Sequence, residues 1–396
     1  MITSSYAKQF SLLFLIIVVT ISCSKETEIE KEELPASDFF VELSTIEEIA
    51  SGIQFPADRS PNLKSTGPQT KRICSIEEIR NNEGTASIYV VNYDEGGFVL
   101  FSADKRTIPI LGYSVDNNFE VDEGSYPTGL KYWMTDAKEQ IEHIQISNIE
   151  QTPEVEIAWK FVQQSIIDEV TTLKSVPPDD CYDHTEIFTE GPFGIPTWHQ
   201  ESPYNDDLPI ITCDGSDFQV LVGCMPLAMA MVMRYHQYPT TYNWSSMPYS
   251  NGTSSTAAFI EEIHDEINGV YPMEPIYYCD GTGVGSDMAY ILKYRFDYSN
   301  AIYAYYNPNS VTNNIAYDRP VILMGTDLTY GGHAWVCNGY RRYIYYQADC
   351  SMVSSLHLHM VWGWGTDYIG YYAFDNFNPG NKAFNSNKKM IYNIIP

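Results

Sequence analysis

The sequence predicts an α+β protein made of two consecutive α+β blocks, and three observations carry that expectation. β-like runs at 88–92 and 98–102 flank Asp94-Glu95-Gly96-Gly97, a hairpin signal, and helical spacing of apolar residues follows at 127–146 and 155–170. A polar stretch at 174–183 (KSVPPDDCYD) then interrupts the chain and reads as an exposed linker, where proteolytic nicking is easiest. Beyond it, one helix at 225–235, ended by Pro239, precedes strand-like runs at 320–325, 334–340, 342–348, 356–362 and 371–374. Helix first and sheet after is an α+β order.

Composition supports folded blocks of this kind. The chain has 396 residues, and roughly 100–200 per domain is usual, so two domains fit. With 44% apolar and 19% charged residues it holds ample core material and is not a disordered chain. Its 23 Lys and Arg against 51 Asp and Glu give a net charge of −28. Phosphate contacts are made mainly by Lys and Arg, so nucleic acid is not an expected partner. Eight Cys are too few for a disulfide-built scaffold.

The amino terminus reads as an export signal. Lys8 supplies a positive flank, and the apolar run at 10–21 is too short to span a bilayer, which takes about 20 apolar residues. The run ends Thr20-Ile21-Ser22-Cys23, and a small residue directly before a Cys resembles a bacterial lipobox. That resemblance implies cleavage after Ser22 and a diacylglycerol on Cys23, anchoring the chain at the bacterial outer membrane or cell surface. The alternative is an ordinary secretory signal. An acidic stretch containing Glu26, Glu28, Glu30, Glu32 and Glu33 follows and reads as a solvated tether.

Two residues carry reactive chemistry. Cys224 sits in VGCMPLAMAMVMRYHQYP, where the helix begins, with Pro226 in the first turn. A helix amino terminus carries about half a positive charge and favours a thiolate. The plainer alternative is a buried Cys acting as a small hydrophobe. His333 follows two glycines at a strand start, in YGGHAWVCNGY. A helix-borne Cys with a strand-borne His about a hundred residues later is the order of papain-type thiol proteases, although the papain signature around the Cys is absent. Gln200 in WHQESPYN can offer an amide N–H to an oxyanion, beside the backbone N–H of the nucleophile. The indoles of Trp362 and Trp364, in WGWG, can pack or shield an imidazole from water.

Taken together these blocks resemble the streptopain family of cysteine peptidases with its amino-terminal inhibitory propeptide. WxQxxPYN (198–205), GCxxxAMAxxMxYHxYP (223–239), GGHAWVCxGY (331–340) and WGWG (362–365) stand in family order, and GFVLFSADKRTIPILGYS (97–114) ahead of a PxGL step (127–130) looks like the propeptide. The resemblance implies a papain-like peptidase domain, helical part plus antiparallel sheet, preceded by an α+β prodomain. It implies endopeptidase activity, with Cys224 as nucleophile, His333 as general base, Gln200 in the oxyanion hole, and Trp362 and Trp364 around the imidazole. The expected organisation is a signal peptide at 1–22, a tether at 23–37, an inhibitory prodomain at 38–173, a linker and maturation region at 174–185, and the peptidase domain at 186–396. Expected partners are a protein or peptide substrate, the prodomain as inhibitor in cis, and a membrane only through the lipid; no cofactor and no metal are expected.

The sequence departs from the family at several points. Val361 stands where relatives commonly carry Asn before WGWG, and Asn338 where they often have Asp. Residues 281–286 match the family's glycine- and serine-rich substrate loop only loosely, and 341–358 reads as longer than usual. The six Cys other than Cys23 and Cys224 allow 15 pairings. His357 and His359 share one side of a strand but lack further ligands at metal-binding spacing. His236 is placed to cap helix carbonyls. Two other functions remain compatible with the sequence: a catalytically silent surface lipoprotein that binds peptides or proteins, and a papain-like amidase or acyl transferase.

Overall fold

Strands from both halves of the chain enter one antiparallel sheet rather than two. The computed structural model describes residues 38–55, 69–163, 181–272, 276–279, 281–282, 287–327, 331–374 and 388–396. The expected signal, tether and Cys23 lie outside these residues, as do 174–180 of the expected linker and 283–286 of the glycine-rich loop. Every element below belongs to one body, Phe39–Pro396.

The N-terminal block contributes α1 (Leu43–Ser51), β1 (Ile73–Arg80), β2 (Ala86–Tyr93), β3 (Phe98–Ser102), β4 (Ile110–Ser114), α2 (Thr128–Ile146) and α3 (Pro153–Gln163). β2 and β3 are buried at every position. One face, with Ile88, Val90, Phe98 and Leu100, packs with α2 residues Leu130, Trp133 and Ala137; the other, with Tyr89, Val91, Val99 and Phe101, packs with α1 and α3. The expected hairpin forms at 94–97. Gly96, at φ +84°, is required because a Cβ there would overlap the Asp116 carbonyl.

The second block contributes β5 (His184–Glu190), α4 (Cys224–His236), α5 (Ser254–Val270), α6 (Met288–Arg295), β6 (Asn300–Tyr305), α7 (Pro308–Ile315), β7 (Val321–Asp327), β8 (Gly331–Tyr346), β9 (Met352–Val361), β10 (Gly370–Tyr372) and β11 (Lys389–Ile395). The strands of both blocks form an eleven-stranded sheet in the order β6-β11-β7-β8-β9-β10-β4-β3-β2-β1, with β5 also paired to β8. The seam between the blocks is the short β10–β4 pairing, Tyr371 opposite Tyr113 and Tyr372 opposite Gly112. Trp133 Nε1 donates to the Ala373 carbonyl at 2.6 Å, and buried Lys388 pairs with Asp136 of α2 at 3.1 Å, so α2 is fastened to the second block as well.

The two strands expected at 334–340 and 342–348 are one strand, β8, kinked by a register shift between Cys337 and Gly339. One edge pairs with β7 along 331–337 and then with β5 along 340–346, while the other edge pairs with β9 along 336–346. β8 is a wall between two cores. Ala334 and Val336 face the core of α4, while Trp335 and Cys337 face the core that includes α2. Two disulfides form, Cys181–Cys350 and Cys213–Cys279, and Cys74, Cys224 and Cys337 are free thiols. The first ties the start of the second block to the β8–β9 hairpin.

Candidate active site

Local sequence places the thiol. Gly223 adopts φ +84°, and a Cβ there would crowd Thr282, so glycine alone lets the chain turn into α4 at this spot. Cys224 is then the first residue of α4 and lies half-buried against its core. The backbone amides of Cys224 and Met225 donate toward its sulfur, as expected at a helix start; so do the Ala334 amide of β8 and the Thr128 hydroxyl. Burial outweighs these donors and pushes the Cys224 thiol up, so it is held as the neutral thiol. Thr128 is the first residue of α2 and belongs to the N-terminal block.

The Gln200 segment is tied through the backbone to the turn that leads into Cys224. Its carbonyl accepts from the Val222 N–H at 3.0 Å, two residues before Cys224. The Gln200 side chain is buried, and its Nε2 has no hydrogen-bond partner. A buried amide without a partner costs about 1–3 kcal/mol, which is tolerable where a ligand completes it.

His333 lies on the other face of the wall. It pairs with Gly325 of β7, and directly opposed residues point their side chains to the same side. The neighbouring pair, Met324 and Ala334, faces the α4 core, so Gly325 and His333 face α2. There the Tyr132 ring fills the space above Gly325, and its centroid is 6.5 Å from that of His333. Gly129 of α2 likewise has no room for a Cβ against Trp335 and Trp362. Thr128, Gly129 and Tyr132 thus enter the same site from one helix turn. Sequence reading noted the PxGL step but gave Thr128 and Tyr132 no role; the small residue pair preceding an aromatic was the available signal.

The tryptophans divide. Trp362 packs on Trp335 at 5.2 Å and Tyr372 at 5.1 Å, and donates to the Tyr368 carbonyl at 2.9 Å. Trp364 stands between two positive-φ glycines; its indole N–H is buried and has no partner. The WGWG turn is tied to the Gln200 segment, since the Gly365 N–H donates to the Trp198 carbonyl at 3.2 Å. Val361 is buried in the α4 core, and Asn338 binds the Phe193 carbonyl at 2.6 Å and His359 Nδ1 at 2.6 Å. His357 Nε2 meets the Ile110 carbonyl at 2.9 Å. His236 does not cap carbonyls; its Nδ1 pairs with the Tyr298 hydroxyl at 3.2 Å, and the Gln237 and Tyr238 amides close the helix end instead.

Comparison with known proteins finds cysteine peptidases and their inhibitory propeptide. A family described as "Spi protease inhibitor" matches residues 54–141, and one described as "Peptidase C10 family" matches 198–241. The chain is 24% identical to Streptococcus pyogenes streptopain over 370 residues, covering 78% of this chain and 81% of that protein. It is 22% identical to the thiol protease/hemagglutinin PrtT of Porphyromonas gingivalis, covering 86% of this chain and 40% of that protein. A solved fragment of Prevotella intermedia prointerpain A superposes with a TM-score of 0.52 at 23% identity, covering 81% of this chain and 99% of the fragment.

Proposed function

Because the chain is a cysteine peptidase of the streptopain family with an inhibitory propeptide, we propose that Cys224 is its nucleophile, His333 its general base and Gln200 its oxyanion donor. The thiolate of Cys224 attacks a peptide carbonyl, and the imidazolium of His333 protonates the leaving amine. Water then hydrolyses the thioacyl-enzyme. The observation that carries this reading is the unpartnered amide of Gln200, tied by its backbone to the turn that presents Cys224. A buried donor left without a protein partner is what an oxyanion needs.

The described state is the silent one. The thiol accepts a hydrogen bond from Thr128, and the imidazole of His333 faces Tyr132 across the strand wall from the α4 core. Activation then follows removal of α2, which takes Thr128 from the thiol and Tyr132 from the side of His333. The linker near 174–185 is the proposed maturation region, and Cys181–Cys350 keeps the new amino terminus attached when the cut falls before Cys181. Trp362 and Trp364 are proposed to enclose the imidazole.

Export through the 1–22 segment and lipidation of Cys23 belong to the same proposal. Two disulfides among the described residues fit an oxidising compartment. The anchored form is then the zymogen, and the cut frees the peptidase from its lipid. The test is incubation of purified precursor with casein under mild reduction, followed by sequencing of the new amino terminus. Processing and casein cleavage are expected for the natural chain and neither for Cys224→Ala or His333→Ala; persistence of both in Cys224→Ala overturns the assignment.

A further inference from the structure

We propose that the seam between the two blocks is an acid-sensitive latch, with His357 as the group whose protonation loosens the N-terminal block from the peptidase. The proposal rests on the reading of that block as a cis inhibitor.

His357 lies on β9 of the peptidase, is 3% exposed, and reaches across the seam to the Ile110 carbonyl of β4. Its other ring nitrogen, Nδ1, is buried and has no partner. An imidazolium must donate from both nitrogens, and only one acceptor is present. Among the described residues lining the site beside the ring, no carboxylate is present. From β4 come the Ile110 carbonyl and Tyr113, whose ring is 5.7 Å away; from β8 come Arg341, directly opposite in register, and Tyr343 at 5.8 Å. Tyr371 of β10 lies under the Arg341 guanidinium at 5.0 Å. On β9 itself stand Ser355 and His359, the latter held by Asn338. α3 adds only apolar groups, Ala158, Phe161 and Val162, around a small cavity beside the ring.

A proton on His357 would thus create an N–H without an acceptor, next to a guanidinium, in a site closed by β4 and α3. Departure of the N-terminal block removes both covers and returns the ring to water. The electrostatics agree in direction: burial first, with Arg341 adding to it and the Ile110 hydrogen bond opposing, brings His357 down to about 4. The sign follows. The docked state binds fewer protons than the open one, so docking is at full strength above the ordinary imidazole value of about 6.5 and weakens as pH falls from there toward about 4. One such group weakens docking about tenfold at a pH of about 5.5.

The test is hydrogen–deuterium exchange on the full chain carrying Cys224→Ala, which keeps it uncut, read at peptides spanning 108–114 and 369–373. Comparing variants at one pH cancels the intrinsic exchange rate. The latch predicts that the seam of this chain exchanges about tenfold faster than that of the same chain with His357→Gln at about pH 5.5, relative to their ratio at about pH 8. Gln keeps a donor toward Ile110 but cannot titrate. An unchanged ratio between the two pH values overturns the proposal. If His357→Gln does not fold, His357→Leu decides: it cannot titrate either, so the acid response is lost, and an undiminished response overturns the proposal. Appearance of cut fragments in the Cys224→Ala chain would instead contradict the nucleophile assignment, and is seen separately by intact mass.

Discussion

The ring of Tyr132, from the N-terminal block, occupies the space above Gly325, the strand partner of His333. One side chain of the inhibitor thereby holds the face of the wall on which the imidazole lies, while four residues earlier Thr128 reaches the thiol. Two residues one helical turn apart share one side of a helix, so a single element addresses both groups proposed to react.

Tyr132→Ala should make the precursor leak. Truncating a buried aromatic costs roughly 3–5 kcal/mol, and the loss falls on docking of α2 against β7 and β8. Uncut Tyr132→Ala precursor should cleave a fluorogenic peptide at least about tenfold faster than the uncut natural chain. Intact mass must show the linker unbroken; an uncut variant as silent as the natural precursor contradicts the inhibitory contact.

Gln200→Ala in the processed enzyme should lower kcat roughly 10²–10³-fold with little change in KM, as expected for a donor used only in the transition state. Its melting temperature should not fall in proportion, because the Nε2 it removes bonds to nothing in the silent state. Steady-state kinetics and calorimetry on one preparation separate the two roles.

The thiol should titrate differently before and after processing. Burial beside α2 holds the Cys224 thiol above its ordinary value, and alkylation needs the thiolate. In the precursor the rate of Cys224 alkylation by iodoacetamide should therefore keep rising as pH increases through about 9. Once the N-terminal block is removed and His333 pairs with the sulfur, the profile should level off at lower pH. Identical profiles for the two forms would contradict this.

Cys350→Ser should destabilise the second block. The Cys181–Cys350 bridge spans a separation of 169 residues, and loss of a native disulfide typically costs about 2–4 kcal/mol. The fall in melting temperature should be present in precursor and processed form alike, since β5 pairs β8 within the peptidase itself.

Local pattern made much of this legible in advance. The 94–97 hairpin, α2, the start of α4 at Cys224 and the strand bearing His333 follow from turn residues, apolar spacing and a glycine before a helix. The long-range pairings were not legible. Nothing local in Gly370–Tyr372 marks it as the strand that joins two blocks, and that pairing alone makes the two expected sheets into one. Burial on both faces hides β2 and β3 from alternation, and the bulge after Cys337 hides the continuity of β8. The family motifs point to Cys224, His333 and Gln200 as a proposed set. They carry no information on which side of β8 the imidazole lies, because that depends on the β7–β8 pairing and on packing against α2, far away in sequence. Cys181 and Cys350 show the same limit: parity of the cysteines is readable, their pairing is a property of the fold.

The central claim is that Cys224 is the nucleophile and that α2 keeps it silent. Its most direct measurement is peptide mapping by mass spectrometry after treatment with a thiol-directed epoxide, done on intact precursor and on precursor cut in the linker. One adduct, on Cys224, is expected in the cut form and almost none in the intact form. Equal labelling of Cys224 in both forms, or loss of peptidase activity with the adduct on Cys74 or Cys337, would contradict it.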